Sequence, residues 1–126
     1  MKRIIATEQA PGSPLYSQGV RVGPVIYVSG MVGIDTATQQ MAGPTIQAQT
    51  RQALRNCLTI VEAGGGRLED VAQVTVLLTN PADFAGMNEE YGRFFASEPP
   101  ARAVTKLGVD LPNVLVSIMM TAHVED

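Results

Sequence analysis

The sequence predicts an α+β sandwich in which a single β-sheet carries two helices on one face. Three observations predict it. Apolar runs rich in β-branched residues and two segments of helical periodicity follow one another as strands, helix, strand, helix and two strands. The helical segments have the length that a crossover between parallel strands needs. The final segment alternates a wholly apolar face with a mixed one, so one side has helices to pack against and the other is left for assembly.

Each element can be justified in order. The stretch "GPVIYVSGMVGID" (23–35) is β-branched between glycines and reads as a strand. The spacing predicts a helix over 43–66: Pro44 suits its first turn, Gly64, Gly65 and Gly66 stop it, and Ile46, Ala53, Leu54, Cys57, Leu58 and Val61 form one stripe. Cys57, inside that stripe, reads as a small buried hydrophobe and not as a reactive thiol. "VAQVTVLLTN" (71–80) is a strand, and 80–98 is a second helix with Asn80 as its N-cap, Pro81 in its first position and Asp83 at its positive end. Phe84, Met87, Tyr91, Phe94 and Phe95 should form its buried face, while Gly86 and Gly92 suggest close packing against a neighbour.

Two strands end the chain, over about 101–107 and 113–124. In the second, Val114, Val116, Ile118, Met120, Ala122 and Val124 belong under the helices. The other face carries Leu115, Ser117, Met119, Thr121 and His123, too much Leu and Met for an ordinary wet surface, so a partner subunit is expected to cover it.

Composition narrows the function. The 126 residues fit one domain, 1–126, and 45% hydrophobic with 17% charged residues supports a packed core. A net charge of −3 without a basic block does not favour nucleic acid as a partner. No apolar run reaches the roughly 18–20 residues of a membrane helix, and the N-terminus lacks the apolar centre of a secretory signal, so a cytoplasmic protein is expected. Cys57 is alone and His123 is the single histidine, which leaves no CxxC or His-rich metal centre.

Chemistry centres on "EPPARAVTK" (98–106). On a strand starting near Ala101, Arg102, Val104 and Lys106 share one face. If the last two strands pair as a hairpin with its turn at Val109 and Asp110, Arg102 lies opposite Ser117 on the mixed face. A guanidinium there would match a small carboxylate with two parallel hydrogen bonds. The plainer alternative is a structural ion pair.

The segments "PLYSQGV", "VIYVSGMVGID", "GMNEEYGRFF" and "PPAR" together resemble the RidA/YjgF family of reactive-intermediate deaminases, also labelled the L-PSP endoribonuclease family, over nearly the whole chain. The resemblance implies a chorismate-mutase-like fold, a homotrimer with three clefts between subunits, and hydrolysis of enamines and imines to a 2-keto acid and ammonia without metal or organic cofactor. Carried over by position, Arg102 clamps the substrate carboxylate, Tyr16 lines the cleft, Ser29 and Gly30 present backbone to the ligand, and Asn88 and Tyr91 lie near the pocket. Two positions depart from the family pattern. Val104 stands where deaminating members carry a cysteine, and Ser117 where they carry a glutamate that orients the attacking water. A serine hydroxyl is a poor base near pH 7 without an activating neighbour. His123 cannot serve Ser117 on the same strand, since six residues span roughly 20 Å.

The expected function is therefore imine deamination of a small 2-imino acid, with Arg102 and Ser117 as catalytic residues and Val104 lining the pocket. The alternative is a trimer that binds or senses a 2-keto acid without turnover. An RNA-cleaving role fits poorly, because basic residues are spread along the chain and four of six aromatics fall on the second helix.

Overall fold

The computed structural model describes residues 1–125. The main sheet contains β1 (Lys2–Ile5), β2 (Gly19–Val22), β3 (Val25–Val32), β6 (Val71–Leu78), β7 (Ala101–Lys106) and β8 (Val116–His123). The short strands β4 (Ile34–Asp35) and β5 (Gln40–Met41) pair separately. Helix α1 (Ile46–Ala63) precedes β6, and α2 (Phe84–Phe94) links β6 to β7. Across the sheet the order is β1-β2-β3-β8-β6-β7, with β6 and β7 parallel and the other neighbours antiparallel. This is the α+β architecture the sequence predicts, with both helices on one face of a mixed sheet.

The core lies between that face and the helices. β8 contributes Val116, Ile118, Met120 and Ala122, β6 contributes Val74, Val76 and Leu78, and α1 contributes Ala53, Leu54, Cys57, Ile60 and Val61, all buried. Cys57 donates its thiol to the Ile118 carbonyl, and burial pushes its pKa well up, so it is the inert core residue expected of it. On the opposite face Tyr27 is 51% and Met119 45% exposed, which is unusual for large apolar side chains in the middle of a sheet.

Several boundaries shift from expectation for local reasons. Thr45 caps α1 by accepting from the Ala48 amide at 3.1 Å, so Pro44 precedes the cap instead of occupying the first turn. Asn80 does accept from Ala82 N–H at 2.9 Å, but Pro81–Asp83 forms a 3₁₀ turn and the α-helix starts only at Phe84. Phe84, expected in the buried face, is 46% exposed. A Cβ on Gly86 would lie 2.6 Å from Ile46 Cγ2, the close helix crossing anticipated there. Gly92 faces open space, so its expected packing role is not found.

The larger correction concerns the last two strands. They do not form a hairpin: β7 pairs with β6, placing Arg102 beside Val74, and β8 inserts between β3 and β6, placing Ser117 beside Val32 and Leu77. The connecting loop straddles the end of β6, with Leu107 N–H bonded to Leu78 O and Thr79 N–H to Leu115 O. The physical reason is burial. A strand with an unbroken apolar face needs neighbours on both sides, whereas β7, carrying Arg102 and Lys106, suits the sheet edge.

α1 and α2 are also tied by Glu90, buried on α2, which accepts from Arg51 at 2.7 Å and from Arg93 at 2.9 Å. The hydrogen bond from Arg51 holds the Glu90 carboxyl below its ordinary range, against the upward push of burial. The unfolded chain then binds this proton more readily than the folded one. The resulting stability is complete above the unfolded carboxylate value of about 4.3 and is lost as pH falls through the lower folded value. Accordingly, thermal melts from pH 6 down to pH 3 should show a steeper acid decline for the wild type than for Glu90→Gln. Parallel curves would mean that the carboxylate contributes nothing in acid.

Candidate functional site

Arg102 lies on the helix-facing side of the edge strand, not on the mixed face. Its Nη1 donates to Asn88 Oδ1 at 2.7 Å. Its guanidinium carbon lies 4.7 Å from the centre of the Tyr91 ring and 5.9 Å from that of Phe84. Phe84, Asn88 and Tyr91 fall at i, i+4 and i+7 on α2, so one helical stripe supports the arginine. Among the described residues the ion pairs are Arg51–Glu90, Arg93–Glu90 and Arg67–Asp70, and none involves Arg102. The structural ion-pair alternative is therefore not realised among the described residues. The Nε and Nη2 edge, which makes no hydrogen bond to the described residues, has the geometry to hold a carboxylate bidentately.

Tyr91 is buried and its hydroxyl has no hydrogen-bond partner among the described residues. Burial pushes its pKa upward, and the nearby Arg102 charge opposes that push. Tyr91 and Asn88 thus hold the arginine in place. Beyond Arg102 along β7 opens a hollow of about 400 Å³ lined by Leu78, Pro81, Phe84, Val104, Thr105 and Lys106. A larger hollow of about 680 Å³, by the β4–β5 pair and Leu115, contains none of the candidate site residues.

A second group gathers elsewhere. The β3 ladder shifts register between Val28 and Met31, which puts Ser29 and Gly30 in an irregular stretch. Ser29 donates its amide to Gln18 O and its hydroxyl to Ser17 O, fixing the segment next to Tyr16. Gly30 abuts Ser117: a Cβ there would stand 3.1 Å from Ser117 Oγ. Tyr16 is half exposed in the loop before β2. Gln18, which sequence reading passed over, organises this loop. Its side chain accepts from Thr7 N–H and donates to the Thr7, Ala10 and Pro11 carbonyls. The signal was its place inside "PLYSQGV", two residues after Tyr16.

Arg102, Asn88, Tyr91 and Val104 thus form one cluster, and Ser29, Gly30 and Ser117, with Tyr16 close in sequence, form another. Within one chain they do not meet. β7 and β8 are separated by β6, roughly 10 Å apart across the sheet. Arg102 and Ser117 also project from opposite faces, since Arg102 shares the side of Val74 and Ser117 that of Leu77. Among the described residues, no three His, Cys, Asp or Glu side chains gather to hold a metal ion.

Fold and site together define a small α+β domain with a guanidinium braced by Asn88 and Tyr91 at its sheet edge. Residues 7–124 match the family model described as Endoribonuclease L-PSP, and the chain belongs to that family. It is 40% identical to a RutC family protein of Saccharolobus solfataricus, over 98% of both chains. It is 36% identical to a 2-iminobutanoate/2-iminopropanoate deaminase of Dermatophagoides farinae, again over 98% of both. The YjgF gene product of E. coli superposes with a TM-score of 0.90 at 34% identity, over 96% of this chain and 98% of that one. The RidA/YjgF resemblance and its fold are borne out.

Proposed function

We propose that the protein hydrolyses 2-imino acids to 2-keto acids and ammonia, in a trimer where the Arg102 cluster of one chain faces the Ser29–Gly30–Ser117 cluster of the next. The observation that carries this reading is the open edge of Arg102, a cation braced by Asn88 and Tyr91 and given no carboxylate by the described residues. The apolar residues Tyr27 and Met119 on the bare sheet face support assembly there. The name of the mite relative, a 2-imino acid deaminase at 36% identity, supports the reaction.

In this mechanism Arg102 fixes the substrate carboxylate. Ser117 Oγ and the Ser29–Gly30 backbone position a water against the imine carbon. The water oxygen adds to that carbon as one of its protons passes to nitrogen, giving a carbinolamine. The remaining hydroxyl proton then passes to nitrogen as the C–N bond breaks, leaving the keto carbonyl and free ammonia. Ser117 orients the water and does not deprotonate it, because an unactivated hydroxyl is too weak a base. Positioning suffices for much of the rate, since the imine is already electrophilic. The same departures, Ser117 and Val104 in place of an acid and a thiol, favour a second reading in which the protein binds 2-keto acids without turnover. The two are separated by generating 2-iminopropanoate with an amino-acid oxidase and following ammonia release with and without the protein. Acceleration is expected, and keto-acid binding without acceleration would select the second reading. Light scattering should give three times the monomer mass; a monomer would leave the two clusters apart and end the proposal.

A further inference from the structure

We infer that the side chain of the preferred substrate is branched or aromatic, and that the apolar hollow beside Arg102 is its binding site. This rests on the carboxylate role proposed for Arg102. The hollow of about 400 Å³ begins at Phe84, the ring that also flanks the guanidinium. Its walls are Leu78, Pro81, Phe84 and Val104, with Thr105 and Lys106 at the β7 side. Val104 lies two residues beyond Arg102 on the same face, roughly 6–7 Å along the strand. A side chain extending from a carboxylate held on Arg102 must run several bonds to reach that far, and a branched or aromatic one covers the most apolar wall once there. A methyl group stops short and leaves water against apolar walls, which forfeits the burial.

Val104 is the residue that sets this preference. It puts a branched hydrocarbon into the wall, while Phe84, part-exposed, gains a partner when a ligand side chain lies against it. The reaction consumes water and releases ammonia as before. A dehydrogenase- or oxidase-type reaction on a leucine- or phenylalanine-like amino acid would supply such an imine.

The test compares imines generated in situ from leucine, phenylalanine and alanine, with hydrolysis followed by ammonia release. The expected kcat/KM is at least about tenfold higher for the leucine and phenylalanine imines than for the alanine imine. Val104→Phe, which fills the hollow, should reverse that order. Binding of 4-methyl-2-oxopentanoate and pyruvate is measured in parallel by calorimetry. Equal or greater activity on the alanine imine overturns the inference and leaves the deaminase reading standing. No turnover with tenfold tighter binding of the branched acid removes the deaminase reading and supports the inference. No turnover with equal binding overturns both.

Discussion

Arg102→Ala is expected to lower kcat/KM for imine hydrolysis about 100-fold while leaving the melting temperature nearly unchanged. Two charge-assisted hydrogen bonds to the substrate carboxylate would vanish, each worth about 1.5 kcal/mol or more, and about 1.4 kcal/mol is a factor of ten. The fold loses little, because Arg102 is exposed on an edge strand and its side chain's one hydrogen bond among the described residues is to Asn88, itself only half-buried. Arg102→Lys separates shape from charge. A lysine keeps the cation but not the planar fork, so it should recover only part of the loss. Full recovery would make Arg102 a source of field alone. Asn88→Ala should fall between wild type and Arg102→Ala, since it frees the arginine without removing it.

The largest stability effect is expected at Gln49 on α1. Its side chain is almost fully buried, donates to the Gly43 and Asn113 carbonyls at 3.0 Å each, and accepts from Leu115 N–H at 2.9 Å. These bonds tie the start of α1 to the loop that delivers β8, and hence Ser117. Gln49→Ala strands three backbone groups and opens a void, at a cost of about 3 kcal/mol or more and a fall in Tm of about 10 °C. Gln49→Leu distinguishes the two causes. It restores the volume but not the bonds, so if polar satisfaction dominates it should be nearly as unstable as the alanine variant. A leucine variant close to wild type would show that packing at this point outweighs hydrogen bonding.

How much of this was legible in the sequence depends on the range of the interaction. α1, β6 and the alternation of β8 were readable because periodicity and caps are local: the Asn80 cap and the apolar stripe of α1 are where residue chemistry puts them. β1 and β2 were not identified, since four-residue strands containing Lys2, Arg3 and Arg21 carry almost no apolar period. The pairing of β7 was misread because nearness in sequence favours a hairpin, while the choice was made by distant burial, with β8 taking the centre and a charged β7 the edge. That error put Arg102 on the wrong face. Its partners Asn88 and Tyr91 were named through family resemblance, and their bracing role became visible only when α2 lay across β7.

The most direct measurement is a crystal structure grown with a 2-keto acid such as pyruvate or 4-methyl-2-oxopentanoate. The account predicts the ligand carboxylate forked on Nε and Nη2 of Arg102, with Ser117 and Gly30 of a neighbouring copy closing over its carbonyl carbon. A keto acid bound away from Arg102, or an Arg102 faced by its own chain only, would contradict it.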